Sequence, residues 1–84
     1  LKPEGHIIDT LGWVYFKLGR YAEARVELER AALLMPDDPV VQEHLGDVYR
    51  ALKSLEKARR AYLRVLELDP DNASVAEKLA GLSP

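Results

Sequence analysis

The chain carries LGWVY at residues 11–15 and LGDVY at residues 45–49, two pentapeptides that lie 34 positions apart. When the sequence is aligned with itself at this offset, residues 5–38 match residues 39–72 at eleven positions. Random pairing would give about two matches at average amino-acid usage. The matching pairs are Leu11/Leu45, Gly12/Gly46, Val14/Val48, Tyr15/Tyr49, Leu18/Leu52, Ala24/Ala58, Arg25/Arg59, Arg30/Arg64, Leu34/Leu68, Pro36/Pro70 and Asp37/Asp71. A 34-residue repeat therefore organises the sequence.

The first three residues extend the same pattern. Leu1-Lys2-Pro3 corresponds to residues 34–36 and 68–70, so we expect an earlier repeat to end just before Glu4. The sequence then predicts a fragment of a longer repeat protein. Its predicted organisation is a single domain over 1–84, with repeat 1 at 5–38, repeat 2 at 39–72 and a capping helix at 73–82.

Helix-ending and helix-starting residues divide each repeat into two helices. Gly19 can take the left-handed conformation that ends a helix, and Pro36 cannot continue one. Asp38 precedes Pro39 as an N-cap residue precedes the first helical position, and Asn72 and Ser54 can cap later helices. The predicted helices lie near residues 6–18, 21–34, 39–52, 55–68 and 73–82.

Apolar spacing predicts which helix faces pack. Ile7, Leu11, Val14 and Leu18 form one stripe, which Val41, Leu45, Val48 and Leu52 repeat, and we expect both stripes to form packing faces. Gly12 and Gly46 beside these stripes, with Ala24 and Ala58 on the following helices, predict close approach of the two helices in each repeat. In the last helix, Val75, Ala76, Leu79, Ala80 and Leu82 are expected to face the core.

The repeated residues resemble the tetratricopeptide repeat (TPR) family, whose pattern has the same length. The signature positions are Leu11, Gly12, Tyr15, Ala24 and Pro36 in the first copy and Leu45, Gly46, Tyr49, Ala58 and Pro70 in the second. The resemblance implies an all-α fold, a TPR-type right-handed α-solenoid of two helix-turn-helix repeats plus a C-terminal capping helix, five helices in all. It also implies a concave groove lined by the first helices. Lys53 departs from the pattern, because it stands where Gly19 would recur.

Members of this family mostly bind proteins or peptides and carry no chemistry, so the resemblance implies a protein-interaction module that is not an enzyme and needs no cofactor. One subclass grips a C-terminal carboxylate with Lys, Asn and Arg. At the matching positions this chain has Asp9, Trp13, His44 and Ser74, and a base remains only at Lys78. Inward-facing acids would repel a carboxylate, so the sequence predicts that this clamp is absent.

A sector of the first helix outside the apolar stripe supplies the candidate ligand contacts. With Ile7 at 0°, Phe16 falls at about 180° and Trp13 at about 240°, with Asp9 between them. The candidate groove residues are Asp9, Trp13, Phe16, Lys17, Glu43, His44, Asp47 and Arg50. The aromatic side chains would anchor a peptide or helix, and the charged ones would set its register. An alternative is that the two rings pack on a preceding repeat.

The remaining polar patterns predict no chemistry. Lys53, Lys57, Arg60 and Arg64 share one helix face, which we interpret as a solvated surface rather than a nucleic-acid site because the net charge is −2. His6 and His44 have no close third ligand for a metal. Glu43 and Asp47 are expected to be simply hydrated, since no burying pocket separates their pKa values.

Composition sets outer limits on function. The absence of cysteine excludes disulfide scaffolds, zinc fingers of the cysteine type and thiol enzymes. No apolar run approaches the roughly 20 residues of a membrane helix, so we expect no membrane insertion. The leading prediction is binding of an unidentified protein or peptide. The alternative is a structural spacer or self-assembly element of a longer scaffold, with homo-oligomers formed through the exposed N-terminal end.

Overall fold

Five α-helices make up the computed structural model, which describes residues 4–82. They are α1 (Glu4–Lys17), α2 (Tyr21–Leu34), α3 (Pro39–Ala51), α4 (Leu55–Leu68) and α5 (Ala73–Ala80). No strand occurs among these residues. Each helix packs on the next, and α1 also touches α3. The predicted helices are confirmed to within two residues at every end, and the expectation that rests on Leu1-Lys2-Pro3 lies outside the described residues.

The turns within the two repeats have the same backbone geometry although only one contains glycine. Gly19 has φ 78°, and Lys53, 34 positions later, has φ 64°. The backbone N–H of Arg20 donates to the Tyr15 carbonyl at 2.9 Å, and that of Ser54 donates to Tyr49 at the same distance. The lysine therefore accepts a left-handed conformation that glycine takes without steric cost.

Side-chain caps begin two of the later helices. Asp38 accepts hydrogen bonds from the Val40 and Val41 N–H groups at 2.9 and 3.3 Å, with Pro39 following it at the first helical position. Asn72 accepts from the Val75 N–H at 3.0 Å. The prediction that Ser54 caps α4 through its side chain is wrong, because its hydroxyl makes no cap hydrogen bond.

Glycine on the first helix of each repeat lets the second helix approach closely. A Cβ at Gly12 would lie 2.7 Å from Leu28 Cγ, and one at Gly46 would lie 2.5 Å from Tyr62 Cε1. Ala24 and Ala58 are fully buried. The predicted close approach is confirmed, and Leu28 and Tyr62 are the side chains that fill the space above each glycine.

The apolar stripe of α1 is not a packing face of the described residues, contrary to the prediction. Ile7, Leu11, Val14 and Leu18 are 62%, 42%, 49% and 64% exposed, whereas the equivalent Val41, Leu45 and Val48 are almost completely buried. The difference follows from chain order, since α2 precedes and packs against α3 whereas no described helix precedes α1. Apolar side chains with the same spacing are thus buried in the second repeat and exposed to solvent in the first.

The short helix α5 closes the other end of the core. Val75 and Leu82 are buried, and Leu79 packs against them from a half-buried position. Ala76 and Ala80 are exposed, so the predicted apolar face is narrower than its spacing indicated. In this position of α5, the Lys78 side chain reaches Glu43 on α3.

Candidate functional site

The candidate groove residues lie on the surface formed by α1, α3 and α5. His44 on α3 joins α1 twice. Its Nδ1 lies 2.8 Å from Asp9 Oδ1, and its ring stacks on Trp13 with centroids 4.0 Å apart and planes 17° apart. Asp9 is 8% exposed, so its charge is nearly withdrawn from water. These contacts tie the first repeat to the second.

Lys78 on α5 makes the equivalent contacts one repeat later. Its Nζ donates to Glu43 Oε2 at 2.8 Å and lies 3.1 Å from both carboxylate oxygens of Asp47. Glu43 and Asp47 correspond to Asp9 and Trp13 by the 34-residue offset, as Lys78 corresponds to His44. We call these residues the inter-repeat ladder: Asp9, Trp13, Glu43, His44, Asp47 and Lys78.

The acidic end of this ladder is buried and fully paired. Asp47 is 5% exposed and accepts a 2.5 Å hydrogen bond from the Tyr62 hydroxyl, with Arg50 Nη2 at 3.7 Å from the same carboxylate. Burial, and then the hydrogen bond to Asp47, raises the pKa of Tyr62 well above its ordinary value. The expectation that Glu43 and Asp47 are simply hydrated is therefore wrong, because Lys78 and Tyr62 compensate them inside the fold.

The Lys78 ammonium remains charged in this setting. Burial lowers the pKa of Lys78, but its hydrogen bonds to Glu43 and Asp47 raise it further, and the net pKa lies above the ordinary value. A cation held by two carboxylates has little capacity left for an incoming anion. The one base that the sequence retained from the carboxylate clamp is thus already engaged.

Four aromatic rings form a continuous cluster beside the ladder, which we call the aromatic cluster: Trp13, Phe16, Tyr21 and His44. Trp13 and Phe16 stack with centroids 4.7 Å apart, and Phe16 meets Tyr21 at 5.4 Å. Lys17 Nζ lies 5.2 Å from the Trp13 ring. Trp13 and Phe16 are half-buried. The two stacked rings thus remain partly accessible to solvent, with a cation close to one of them.

The structure gathers the eight predicted residues onto one surface but gives them different surroundings. Asp9 and His44 contact each other across the two repeats, and Glu43 and Asp47 contact Lys78 of α5. Lys17 and Arg50 are exposed. Trp13 and Phe16 lie on the side of α1 that faces α3, away from the exposed stripe. Tyr21, Tyr62 and the role of Lys78 were missed by the sequence reasoning. The offset that equates Lys78 with His44 is the signal that would have found the ladder.

Residues 4–82 hold no group of three or more His, Cys, Asp or Glu side chains placed to bind a metal ion. Over the same range, no helix combines the length and apolar character needed to cross a membrane.

Known proteins share sequence similarity with most of this chain. A family model described as tetratricopeptide repeat matches residues 10–73. The uncharacterized protein ycf37 of Guillardia theta is 31% identical over 74 residues, which are 88% of this chain and 42% of that protein. RNA polymerase II-associated protein 3 of Rattus norvegicus is 35% identical over 65 residues, which are 77% of this chain and 10% of that protein. The chain therefore spans less than half the length of these curated relatives.

Solved structures extend the similarity to the fold. The structure described as the first TPR of Spaghetti (RPAP3) bound to the HSP90 peptide SRMEEVD matches with a TM-score of 0.90 at 28% identity, covering 93% of this chain and 62% of that one. The first TPR domain of the human RPAP3 protein, solved by NMR, matches with a TM-score of 0.89 and covers 94% of this chain and 62% of that one. The chain thus has the all-α TPR fold of these domains.

Proposed function

The chain belongs to the tetratricopeptide repeat family, and from this premise we propose that it binds a peptide or helix of a partner protein along the surface of α1, α3 and α5. The fold is a protein-interaction scaffold and not a known enzyme fold. The aromatic cluster is the observation that carries the proposal. Its rings lie on the surface that the family resemblance assigns to the concave groove, and aromatic side chains dominate the energetics of many interfaces.

The charges around this cluster favour a ligand anchored by apolar side chains. Asp9 is engaged by His44, and the acids of the second repeat are engaged by Lys78. Charges already paired inside the protein contribute little new attraction to a ligand. Lys17, which lies 5.2 Å from the Trp13 ring, and Arg50, which lies beside Asp47, remain exposed and would set the register of the bound segment.

The same pairing argues against binding of a C-terminal carboxylate at this surface. The solved relative holds the acidic peptide SRMEEVD. Here Asp9, Glu43 and Asp47 place three carboxylates among these helices, and Lys78 is held by two of them. We therefore expect SRMEEVD to leave the fluorescence of Trp13, the only tryptophan, unchanged. A saturable change in that fluorescence would show that a carboxylate site exists despite this pairing.

Selection from a random peptide library tests the proposal. Peptides that bind the 84-residue chain are measured again on Trp13→Ala, Phe16→Ala and the control Leu33→Ala, whose side chain is 83% exposed on α2. Loss of a central aromatic anchor removes about 2 kcal/mol or more, which is about thirtyfold in affinity. Equal affinity for the wild type and both aromatic variants would overturn the proposal, once circular dichroism shows that the variants are folded.

A second candidate function, self-association, is favoured by the exposed stripe on α1. The equivalent stripe on α3 is buried against a helix of the preceding repeat. A second copy of the chain would supply such a cover for Ile7, Leu11, Val14 and Leu18, since contiguous exposed apolar side chains commonly mark interaction sites. Sedimentation over a concentration series would then show a dimer that Val14→Gln weakens and the control Val26→Gln does not. A monomer at every concentration would contradict this candidate.

A further inference from the structure

An open depression with a volume of about 310 Å³ lies between α3 and α4. Its lining consists of Gln42, Leu45, Tyr49, Lys57, Arg60 and Ala61. At 100° per residue, the lining positions of α3 lie about 130° around the helix from Glu43, Asp47 and Arg50. The depression therefore belongs to a different surface from the aromatic cluster.

The floor of the depression is apolar and its rim is basic. Leu45, Tyr49 and Ala61 are each less than 10% exposed and belong to the core. Lys57 and Arg60 are exposed above them. Lys57 Nζ lies 5.7 Å from the centroid of the Tyr49 ring, a position that a cation–π attraction favours. A ligand bound in the depression would contact two cations and an apolar surface.

Lys57 and Arg60 differ from the other basic residues of α4 in their charge partners. Arg59 pairs with Glu56, and Arg64 pairs with Asp37 and Glu67. Among residues 4–82, no ion pair is made by Lys57 or Arg60.

The acid beside the Tyr49 end of the depression is already engaged. The Tyr49 hydroxyl donates to Glu29 at 2.5 Å, and Glu29 also pairs with Arg25 on its own helix. Glu29 is therefore compensated without help from Lys57 or Arg60. Two cations are left to interact with an external anion, in a chain whose net charge is −2.

The basic rim is specific to the second repeat. By the 34-residue offset, Lys57 corresponds to Glu23 and Arg60 corresponds to Val26, whereas Leu45 and Tyr49 are identical to their counterparts. Leu45 and Tyr49 thus follow the repeat pattern, whereas the third floor residue, Ala61, corresponds to Glu27. Lys57 and Arg60 do not recur either, so the residues shared by the two repeats do not account for them.

We propose that this depression binds an acidic segment of a partner protein. Two carboxylates of the segment interact with Lys57 and Arg60, and an apolar side chain between them lies on Leu45, Tyr49 and Ala61. Arginine binds a carboxylate with two parallel hydrogen bonds, and lysine adds a point charge. A protein segment fits this site better than nucleic acid does, because only two cations line the depression and its floor is apolar.

Fluorescence polarisation with a defined probe tests the proposal. The probe is a fluorescein-labelled peptide, acetyl-Gly-Glu-Leu-Glu-Gly-amide, at low salt, and its controls replace both Glu by Gln or the Leu by Ser. We expect the acidic peptide to bind the wild-type chain and the double variant Lys57→Gln/Arg60→Gln to bind it about tenfold more weakly, as expected for the loss of two partly exposed ion pairs. The Ser peptide should also bind more weakly than the Leu peptide.

Two matched variants make the result specific. Lys53→Gln removes the same charge from the turn just before α4, outside the depression, and should change affinity less than about twofold. Trp13→Ala, at the aromatic cluster, should leave the affinity unchanged. Equal binding of the Glu and Gln peptides, equal loss in Lys53→Gln, or no binding at all would overturn the proposal. Tighter, Lys57-dependent and Arg60-dependent binding of a single-stranded oligonucleotide would also overturn it, in favour of a nucleic-acid site.

Discussion

His44 and Lys78 occupy the same position on successive first helices, and each reaches back to the carboxylate that stands 35 residues before it. The second contact of each side chain goes to the residue 31 positions earlier, Trp13 for His44 and Asp47 for Lys78. The inter-repeat ladder is therefore a repeated contact, made with different chemistry at each step. It joins the repeats and pairs the carboxylates of Asp9, Glu43 and Asp47.

Removal of the Lys78 cation is expected to destabilise the chain. Lys78→Met leaves Glu43 and the buried Asp47 carboxylate without their shared cation, and we expect unfolding to become easier by about 1–3 kcal/mol. Denaturant unfolding at pH 7 measures the change. The control Lys57→Met removes an exposed lysine that forms no ion pair within residues 4–82, and it should change stability by less than about 0.5 kcal/mol. Equal effects of the two variants would contradict the structural role given to Lys78.

Alkaline pH is expected to weaken the fold through its buried phenols. Burial, and then hydrogen bonds to Glu29 and Asp47, raises the pKa values of Tyr49 and Tyr62 above the ordinary 10.0. These groups stay protonated in the folded chain while the unfolded chain loses its phenolic protons. Their contribution is therefore complete below pH 10.0 and is lost as the pH rises above it.

The variant Tyr62→Phe separates this effect from general alkaline unfolding. At pH 7 it removes the donor to Asp47 and should lower stability by about 1–3 kcal/mol. Above pH 10.0 the wild-type advantage should shrink, because phenylalanine has no proton to lose in the unfolded state. Unfolding curves from pH 7 upward measure the difference. A constant difference across this range would show that the Tyr62 hydroxyl titrates alike in both states.

The turn between α3 and α4 offers a stabilising substitution. Lys53 has φ 64°, and a left-handed backbone costs a residue with a Cβ about 1 kcal/mol more than it costs glycine. We expect Lys53→Gly to raise the midpoint of thermal unfolding. The control Lys57→Gly lies inside α4 and should lose about 1 kcal/mol. If both glycine variants are destabilised alike, the φ at Lys53 carries no appreciable strain.

Close packing above Gly46 predicts that replacing this glycine by alanine lowers the stability of the fold. A Cβ there would lie 2.5 Å from Tyr62, which is fully buried and hydrogen-bonded and so has no room to move. Overpacking of about 1–3 kcal/mol should exceed the gain of about 1 kcal/mol in helix propensity, so Gly46→Ala should be less stable than the wild type. Gly81→Ala is the control, since its nearest neighbour would be 3.5 Å away. A neutral or stabilised Gly46→Ala would contradict the packing.

Local sequence signals predicted the helices because each signal acts within a few residues. Asp38 and Asn72 cap their own helices, and Gly12 meets Leu28 within the same repeat. The 34-residue repeat then predicted that the second pair of helices is joined like the first, and the turns at Gly19 and Lys53 indeed share a positive φ.

Features that depend on more distant neighbours could not be predicted from a helical wheel. The wheel gives the direction in which Ile7 points but not whether another helix covers it, and Ile7 is 62% exposed whereas Val41, its equivalent, is 1% exposed. Asp47 was expected to be hydrated because its partners, Tyr62 and Lys78, lie 15 and 31 residues away. Only the stacking of helices brings these side chains together.

Chemical-shift mapping of a selected peptide on the nitrogen-15-labelled chain tests the central claim most directly. If the surface of α1, α3 and α5 is the binding groove, the largest shifts will centre on the indole N–H of Trp13 and on the amides of Phe16, Lys17 and Arg50. Amides along the exposed stripe from Ile7 to Leu18 on the opposite side of α1, and those around Lys57 and Arg60, will move little. Shifts centred on either of those regions, with Trp13 unmoved, would contradict the account.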